Sequence, residues 1–239
     1  MMKTTTTAAM RREAAAPSLT SRRSAALSSR VAGRRSLRSA AIDPSKTAVV
    51  LIEYQNEFTS EGGKLHDAVK GVMESSNMMS NTKEVVEKAR AKGCKIVHAP
   101  ITFSDDYKEL SDNIFGILAN VKEGGCFKAS EWGGKICDEL APQDGDVVIE
   151  GKRGLDGFMS TNLDFVLRQN SIENIALGGF LTNCCVESTM RTAYEKGYNV
   201  VTLTDCTAAC SEEEQKASVD KTYPMFSKPM TSAEFVESL

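Results

Sequence analysis

Short apolar runs rich in β-branched residues alternate with helical stretches along most of this 239-residue chain. Apolar runs of about four to eight residues between turn signals are typical of buried strands, and the periodic segments between them are typical of helices. Strands that alternate with helices favour βαβ units, in which helices cover both faces of a parallel sheet. The pattern therefore predicts an α/β fold of three layers, Rossmann-like, with a central, mostly parallel sheet.

The apolar runs predict five strands, at residues 47–54, 94–100, 145–152, 172–180 and 198–205. The periodic segments predict helices at residues 81–93, 160–171, 183–197 and 211–219. Ser160 and Ser211 are the expected N-caps of the second and fourth of these helices. No internal repeat interrupts the pattern, so we expect a single domain over residues 43–239.

The first 42 residues differ from the remainder in charge and composition. They contain nine Lys and Arg and one Glu, a net charge of +8, which leaves −11 for residues 43–239 out of a total of −3. The segment is rich in Ser, Thr, Ala and Arg and lacks the apolar stretch of a secretory signal, which is typical of an organelle transit peptide. A disordered basic tail is the alternative. We expect a mitochondrial or plastid protein after removal of the transit peptide, and otherwise a cytoplasmic one.

The composition of the body argues against several classes of function. An acidic body cannot neutralise phosphates, so we expect no nucleic-acid partner. No apolar run approaches the roughly 18 residues of a membrane span, so we expect no membrane partner. The seven cysteines are irregularly spaced and only two histidines occur. Neither a disulfide framework nor a thiolate zinc site is therefore expected.

Reactive side chains follow three of the predicted strands: Glu53, Lys152 and the segment Phe180–Cys185. Because functional residues gather at the carboxyl ends of parallel strands, an acid, a cation and a thiol should converge at one rim of the sheet. A thiol in the first turn of a helix beside a lysine should have a lowered pKa, and Glu53 would be its acid/base partner. The alternatives are core cysteines, a Cys184–Cys185 disulfide, a helix-capping Glu53 and a solvated Lys152.

Three blocks of the chain resemble the signature segments of the isochorismatase-like cysteine hydrolases: VVLIEYQNEF, VIEGKRGLDGF and GGFLTNCCVESTMRTA. In that family the first block has Asp-x-Gln-Asn-Asp-Phe after apolar residues. The second has a lysine shortly before a Phe, and the third has Thr-x-x-Cys-Val. The blocks have the family's order and spacing, and three linked blocks are a far more specific signal than a lone motif.

The resemblance implies a catalytic triad of Glu53, Lys152 and Cys185. The Thr-x-x-Cys-Val frame begins at Thr182, so it selects Cys185 as the nucleophile and leaves Cys184 as a packing neighbour. The family aspartate is a glutamate at position 53, which moves the carboxylate by about 1.5 Å. Glutamate keeps the same acid/base chemistry, so we interpret the change as a mark of a subfamily with a reshaped pocket.

The resemblance also implies a cis peptide bond between Phe180 and Leu181. It implies an oxyanion hole that is formed by the backbone N–H groups of Leu181 and Cys185. Nicotinamidase-type relatives bind a metal through an Asp and paired histidines after the second strand. Here His98 lies within that strand and no second histidine follows. We therefore predict no catalytic metal and no cofactor.

The resemblance implies hydrolysis of a C–N bond in a small amide or ureido compound through a covalent thioester on Cys185. Family members that hydrolyse the vinyl ether of isochorismate do not need the thiol, so a retained Cys185 favours C–N hydrolysis. An isochorismatase-type ether hydrolase and a catalytically inactive relative used for binding are the alternatives.

The pocket walls are expected in the variable segment 101–132 and beside the three blocks. Candidates for apolar walls are Phe58, Phe103, Trp132 and Phe158, and Arg153 is a candidate for binding a substrate carboxylate. Core packing of the aromatics and a solvated arginine are the alternatives. The expected partner is a small-molecule substrate, and the resemblance implies a homo-oligomer, either a dimer or a tetramer.

Overall fold

The computed structural model describes residues 41–239. Within this range six strands form one sheet: β1 Thr47–Ile52, β2 Lys95–Ala99, β3 Val147–Val148, β4 Asn174–Phe180, β5 Asn199–Ala208 and β6 Lys228–Met230. All neighbouring strands pair in parallel. The predicted α/β fold with a parallel sheet is confirmed. The predicted transit peptide, residues 1–42, lies outside the described residues except for its last two positions.

Helices cover both faces of the sheet. Their bounds are α1 Asn56–Thr59, α2 His66–Ser75, α3 Met78–Ala91, α4 Ile117–Glu123, α5 Leu163–Gln169, α6 Glu187–Glu195, α7 Glu212–Ala217, α8 Tyr223–Phe226 and α9 Ser232–Ser238. Buried side chains of α2, α3 and α9 belong to one apolar core, and those of α5, α6 and α8 belong to a second. None of the helices over residues 41–239 is long and apolar enough to cross a membrane.

The central strand β1 contributes to both cores. Its six residues are all buried, and each is at most 1% exposed. Val49 and Leu51 belong to the core under α2, α3 and α9, whereas Val50 and Ile52 belong to the core under α5, α6 and α8. Because successive side chains of a strand point to opposite faces, a run of apolar residues suits a strand that is covered on both sides.

The sheet order is β3-β2-β1-β4-β5-β6. Successive connections lead outward from β1 to β2 and β3, and the chain then returns to place β4 on the other side of β1. In open α/β sheets, ligands bind in the crevice at the carboxyl ends of the two strands where the order reverses. The topology therefore places a binding crevice at the ends of β1 and β4.

The third strand is much shorter than the predicted segment 145–152. The backbone N–H of Glu150 donates to the side chain of Asn162 (2.9 Å) instead of extending the β-ladder. Gly151 then adopts a left-handed φ of 88°, where a β-carbon would lie 2.3 Å from the carbonyl oxygen of Ser160. The strand ends because its backbone leaves the β-ladder at Glu150, and Gly151 permits the turn that follows.

The predicted helix 160–171 begins three residues late, at Leu163. Ser160 was expected to cap it, but Ser160 has a φ of 58° and its hydroxyl donates to the carbonyl of Gly151 (3.0 Å). Ser211 does cap its helix: its hydroxyl accepts from the N–H of Glu214 at 3.2 Å, which confirms that prediction.

The expectation of five strands missed β6 and the helix α9 that follows it. Strand β6 has the sequence Lys-Pro-Met and pairs with β5 at the edge of the sheet. Three residues with a central proline and no β-branched side chain carry no strand signal in the sequence. Proline is tolerated at an edge because it need not donate to a neighbouring strand.

Candidate active site

The three predicted catalytic side chains lie at the ends of β1, β3 and β4. Glu53 directly follows β1, Lys152 follows β3 after a three-residue loop, and Cys185 lies in a π-helical turn, Thr182–Val186, after β4. The Lys152 ammonium donates to the Glu53 carboxylate. Glu53 and Cys185 line the same cavity, whose volume is about 260 Å³. The fold thus brings together an acid, a cation and a thiol that are far apart in the chain.

Glu53 has a left-handed backbone, with a φ of 59°. Such a conformation is uncommon for a residue with a β-carbon, and it concentrates at functional sites. The Glu53 N–H still donates to the carbonyl of Ala99 at 3.2 Å, and its own carbonyl accepts from the N–H of Gln55 at 2.7 Å. The side chain is 2% exposed. The turn therefore directs a buried carboxylate from the end of β1 towards Lys152.

Gln55 secures this turn, and sequence reasoning assigned it no role. Its side-chain amide donates to the carbonyls of Ile101 (2.9 Å) and Gly134 (2.8 Å) and accepts from the N–H of Ile101 (2.9 Å). The side chain is fully buried. A polar residue directly after a buried strand was the available signal, because a buried amide needs partners from other segments. Gln55 thereby ties the turn after β1 to the segments that contain Ile101 and Gly134.

Lys152 is fully buried and donates to the carbonyl of Gly154 at 2.8 Å as well as to Glu53. Burial by itself would lower the pKa of this ammonium, because it disfavours the charged form. The adjacent Glu53 carboxylate, which also accepts a hydrogen bond from the ammonium, outweighs burial and raises the pKa of Lys152 above its ordinary value. The side chain is therefore a fixed cation at neutral pH.

The Cys185 thiol is 4% exposed, and its pKa lies well above the ordinary value for a thiol. A hydrogen bond with Cys184, burial and the Glu53 carboxylate all raise this pKa, and Lys152 alone opposes them. The prediction of a lowered pKa is wrong, because it counted the lysine but not the burial or the neighbouring carboxylate. Cys185 therefore rests as a neutral thiol and requires a base to become a nucleophile.

Cys184 differs from its neighbour in exposure and acidity. It is partly exposed, and the hydrogen bond with Cys185 lowers the pKa of its thiol. Cys184 does not line the cavity that Glu53 and Cys185 share. Access to the cavity distinguishes the two thiols, and it favours Cys185 as the residue that meets a bound molecule.

The turn that carries Cys185 is held from two directions. The N–H groups of Cys184 and Val186 donate to the carbonyl of Leu181 at 3.0 and 3.2 Å, and the second of these bonds spans five residues. The hydroxyl of Thr182 donates to Gln215 at 2.6 Å, and its carbonyl accepts from the Tyr223 hydroxyl at 3.0 Å. The threonine of the third block thus anchors the turn, which is a contact that the sequence pattern does not reveal.

Two glycines let the end of β4 approach its neighbours. A β-carbon on Gly179, whose φ is 132°, would lie 1.9 Å from the carbonyl oxygen of Ile52 in β1. A β-carbon on Gly178 would lie 3.0 Å from the carbonyl oxygen of Cys206.

The peptide bond between Phe180 and Leu181 is cis. The oxyanion hole assigned to the N–H groups of Leu181 and Cys185 stays a prediction.

Of the four aromatic residues predicted to form the pocket wall, Phe58 alone lines the cavity. It stacks on Phe180, with ring centroids 4.8 Å apart. Phe103 instead packs against Tyr107 in the core, and Phe158 packs against Tyr198 on the opposite face of the sheet. Phe103 and Phe158 are thus core residues on different faces of the sheet, and neither lines the cavity.

Trp132 and Arg153 also lie outside the cavity. Trp132 is 54% exposed. Arg153 donates to the Thr102 hydroxyl at 3.2 Å and to the carbonyl of Lys152 at 3.1 Å, and it pairs with Glu109 at 3.4 Å. These contacts engage Nε and Nη1 of the guanidinium, and Arg153 does not line the cavity. Its role in binding a substrate carboxylate stays a prediction.

Neither histidine belongs to this constellation. The ring of His98 lies 3.3 Å from Asp146, and the ring of His66 lies 2.8 Å from the carbonyl of Phe58. Burial lowers the pKa of His98. Across residues 41–239, no group of three or more His, Cys, Asp and Glu side chains is arranged to hold a metal ion. The absence of a catalytic metal stays a prediction.

Comparison with known proteins identifies the family. The isochorismatase domain matches residues 47–234, which include all three blocks. The chain belongs to the isochorismatase family. Among the similar members, ureidoacrylate amidohydrolase RutB of Agrobacterium fabrum is 33% identical over 177 residues, which are 70% of this chain and 77% of that protein. The protein of the same name from Caulobacter segnis is 31% identical over 206 residues, which are 81% of this chain and 86% of that protein.

Solved structures of isochorismatase-family proteins share the fold. A cysteine hydrolase from Pseudomonas syringae pv. phaseolicola superposes with a TM-score of 0.73 at 24% identity, over 83% of this chain and 94% of that one. N-carbamoylsarcosine amidase from Thermoplasma acidophilum superposes with a TM-score of 0.62 at 25% identity, over 78% of this chain and 96% of that one. The three-layer architecture is therefore the architecture of the family.

Proposed function

We propose that the protein is a cysteine-dependent amidohydrolase that cleaves a C–N bond of a small amide or ureido compound through a thioester on Cys185. The observation that carries this proposal is the contact between the Glu53 carboxylate and the Lys152 ammonium at the cavity that Cys185 lines. A neutral thiol beside a buried base is suited to nucleophilic attack with proton transfer. Relatives named ureidoacrylate amidohydrolase support the same class of reaction.

In the first half of the reaction, Glu53 accepts the thiol proton while the Cys185 sulfur attacks the carbonyl carbon. Lys152 stabilises the negative charge that moves from the carboxylate to the sulfur and then to the carbonyl oxygen. The N–H groups of Leu181 and Cys185 are the proposed donors to this oxyanion. When the C–N bond breaks, the protonated Glu53 gives its proton to the departing nitrogen, and the acyl group remains on sulfur as a thioester.

In the second half, water replaces the departed amine or ammonia. Glu53 accepts a proton from this water, and the resulting hydroxide attacks the thioester carbon. The C–S bond then breaks, and Glu53 returns the proton to the sulfur. Each proton that the carboxylate accepts is released again, so the enzyme ends the cycle as a neutral thiol beside an ionised Glu53–Lys152 pair.

Replacement of Cys185 by alanine tests the proposal. We expect Cys185→Ala to reduce ammonia release from a panel of small amides and ureides by about 10³-fold or more, because no thioester can form. Cys184→Ala is the matched control and should retain most of the activity, since Cys184 does not line the cavity. Rapid acid quench and mass spectrometry should detect the acyl group on Cys185 in the wild-type protein.

Other outcomes would favour the alternatives. Undiminished hydrolysis of isochorismate by the Cys185→Ala variant would identify an ether hydrolase. Absence of turnover on both classes of compound, with a Cys185 that small thiol reagents do not modify, would indicate a binding protein without catalytic activity.

A further inference from the structure

We infer that the substrate of the Cys185 site is an uncharged amide or ureide that carries a small apolar substituent and no carboxylate. This inference rests on the proposed function and names the class of compound on which the site acts. It is supported by the side chains that line the cavity and by the contacts that the two nearby cations make with other groups.

Carbon atoms form most of the cavity wall. Apolar side chains approach from α1, α2, α4 and the loops after β2, α4 and β4, and include Phe58, Val69, Ile101, Val121, Phe127 and Leu181. Such walls offer a ligand no hydrogen bonds, and they favour the burial of an apolar group. The volume of about 260 Å³ corresponds to roughly eight or nine water molecules, so the substrate must be small.

Glu53 is the one charged side chain among the described residues that line the cavity, and Asn120 is the one side-chain amide. No arginine, lysine or histidine of residues 41–239 lines it. A carboxylate on the substrate would therefore lose its water, meet no cation in the wall and approach a second carboxylate. Burial of an unpaired charge and repulsion between like charges both oppose binding.

The two cations next to the site are already engaged. Lys152 is fully buried behind Glu53, donates to it and to the carbonyl of Gly154, and does not line the cavity. Arg153 pairs with Glu109 and donates to Thr102. Lys152 therefore balances the charge of Glu53 and leaves no positive charge in excess, and Arg153 does not line the cavity.

This chemistry differs from that of the compound in the name of the relatives. Ureidoacrylate is a carboxylate, and isochorismate carries two carboxylates. The wall of the Cys185 cavity provides no counter-ion for either compound. A family member with these residues is instead suited to the neutral analogue, in which a methyl or alkyl group stands where the carboxylate would be.

The inference is tested with matched pairs of substrates that differ by one methyl-to-carboxylate exchange. Propylurea is paired with 3-ureidopropionate, and butyramide is paired with succinamate. We expect ammonia release with kcat/KM at least about 100-fold higher for the neutral member of a pair, because only the anion must be desolvated without a partner. Equal or faster hydrolysis of the anionic members, lost in Cys185→Ala, would leave the proposed function standing and overturn the inferred substrate class.

A labelling experiment separates the two proposals without turnover. Iodoacetamide and iodoacetate are a neutral and an anionic reagent of similar size, and mass spectrometry gives their rates of reaction at Cys185. We expect the ratio of the two rates to exceed the ratio for free glutathione by about tenfold or more. A high ratio without hydrolysis of any amide would refute the amidohydrolase while supporting the neutral cavity. A ratio equal to that of glutathione, or lower, would overturn the substrate class.

A substitution that adds a cation should reverse the preference. Leu118 lines the cavity and is half-buried, so an arginine there can keep its guanidinium at the mouth. We expect Leu118→Arg to raise the ratio of kcat/KM for 3-ureidopropionate to that for propylurea by about tenfold or more, relative to the neutral control Leu118→Met. The same ratio in both variants would argue against charge as the determinant of specificity.

Discussion

At the scale of single residues, the site depends on how Cys185 and Glu53 share a proton. The buried thiol is a weak acid, and the carboxylate beside it makes it weaker. In the proposed mechanism, the nucleophile is therefore generated when a substrate is bound. Such a thiol is protected from unselective reaction, because the thiolate is the reactive form.

Substitution of Glu53 by glutamine should shift the titration of Cys185. A negative charge next to a thiol disfavours the thiolate, so removal of that charge must lower the pKa of Cys185. We expect the midpoint of iodoacetamide labelling to lie above the ordinary value of about 8.5 in the wild type and at lower pH in Glu53→Gln. Ammonia release should fall by about 10²- to 10⁴-fold in the same variant, because the base is absent. A midpoint that stays the same or rises would contradict the assigned interaction.

The length of the Glu53 side chain is a second residue-scale question. Aspartate withdraws the carboxylate from Lys152 by about 1.5 Å, and we expect Glu53→Asp to lower kcat/KM by about 10²-fold. Glu109→Asp shortens the carboxylate that pairs with Arg153 outside the cavity, and it should retain wild-type kcat/KM. Wild-type activity in Glu53→Asp would mean that the pocket tolerates either acid and is not shaped for glutamate.

At the scale of secondary-structure elements, the end of β4 determines where Cys185 lies. The strand approaches β1 closely at Gly179, and the π-helical turn that follows is tied to Gln215 and Tyr223. The two strands at which the sheet order reverses are thus pressed together where the chemistry takes place. Both contacts are made by Thr182, the first residue of the turn, and a turn held in this way keeps the sulfur in place against the cavity.

Gly179→Ala should therefore destabilise the protein strongly. Its β-carbon would lie 1.9 Å from a backbone oxygen of β1, and its φ of 132° is unfavourable for alanine. We expect a loss in the free energy of unfolding on the order of 3 kcal/mol. Gly197→Ala is the matched control, since Gly197 also has a positive φ but no atom within 4 Å, and it should cost about 1 kcal/mol. Urea unfolding measures both, and equal losses would refute the role of the close approach.

At the scale of the whole molecule, the sheet provides one rim for residues that are up to 132 positions apart in the chain, from Glu53 to Cys185. Helices on both faces bury β1 completely, which makes the strand ends rigid supports. The oligomeric state, a dimer or a tetramer, stays a prediction that light scattering of the purified protein can test.

The basic segment 1–42 gives a prediction about the cell. We propose that it directs the protein to a mitochondrion or a plastid, because its charge of +8 and its Ser- and Ala-rich composition suit import. A fluorescent reporter fused to residues 1–42 should accumulate in one of these organelles. A fusion in which glutamine replaces the nine basic residues should remain in the cytoplasm. Cytoplasmic fluorescence from both fusions would refute organellar import.

Local patterns were sufficient to predict the parallel α/β sheet and the approximate positions of five strands. They also indicated which acid, cation and thiol would meet, because the end of each strand is marked in its own segment and the topology rule brings strand ends together. They failed for β3 and β6. Strand β3 ends early because the N–H of Glu150 donates to the side chain of Asn162. Strand β6 forms because its backbone pairs with the free edge of β5.

The electrostatics and the walls of the site were decided only by tertiary structure. The pKa of Cys185 depends on a hydrogen bond with Cys184, on burial and on Glu53, and the last of these lies 132 positions away in the chain. Phe58 lines the cavity, whereas Phe158 packs into the core on the other face of the sheet, although each is the last residue of a block. The burial and the charge pairing of a side chain depend on neighbours that are distant in the sequence. Periodicity and motifs report on adjacent residues, so they locate the reactive groups but do not describe their environment.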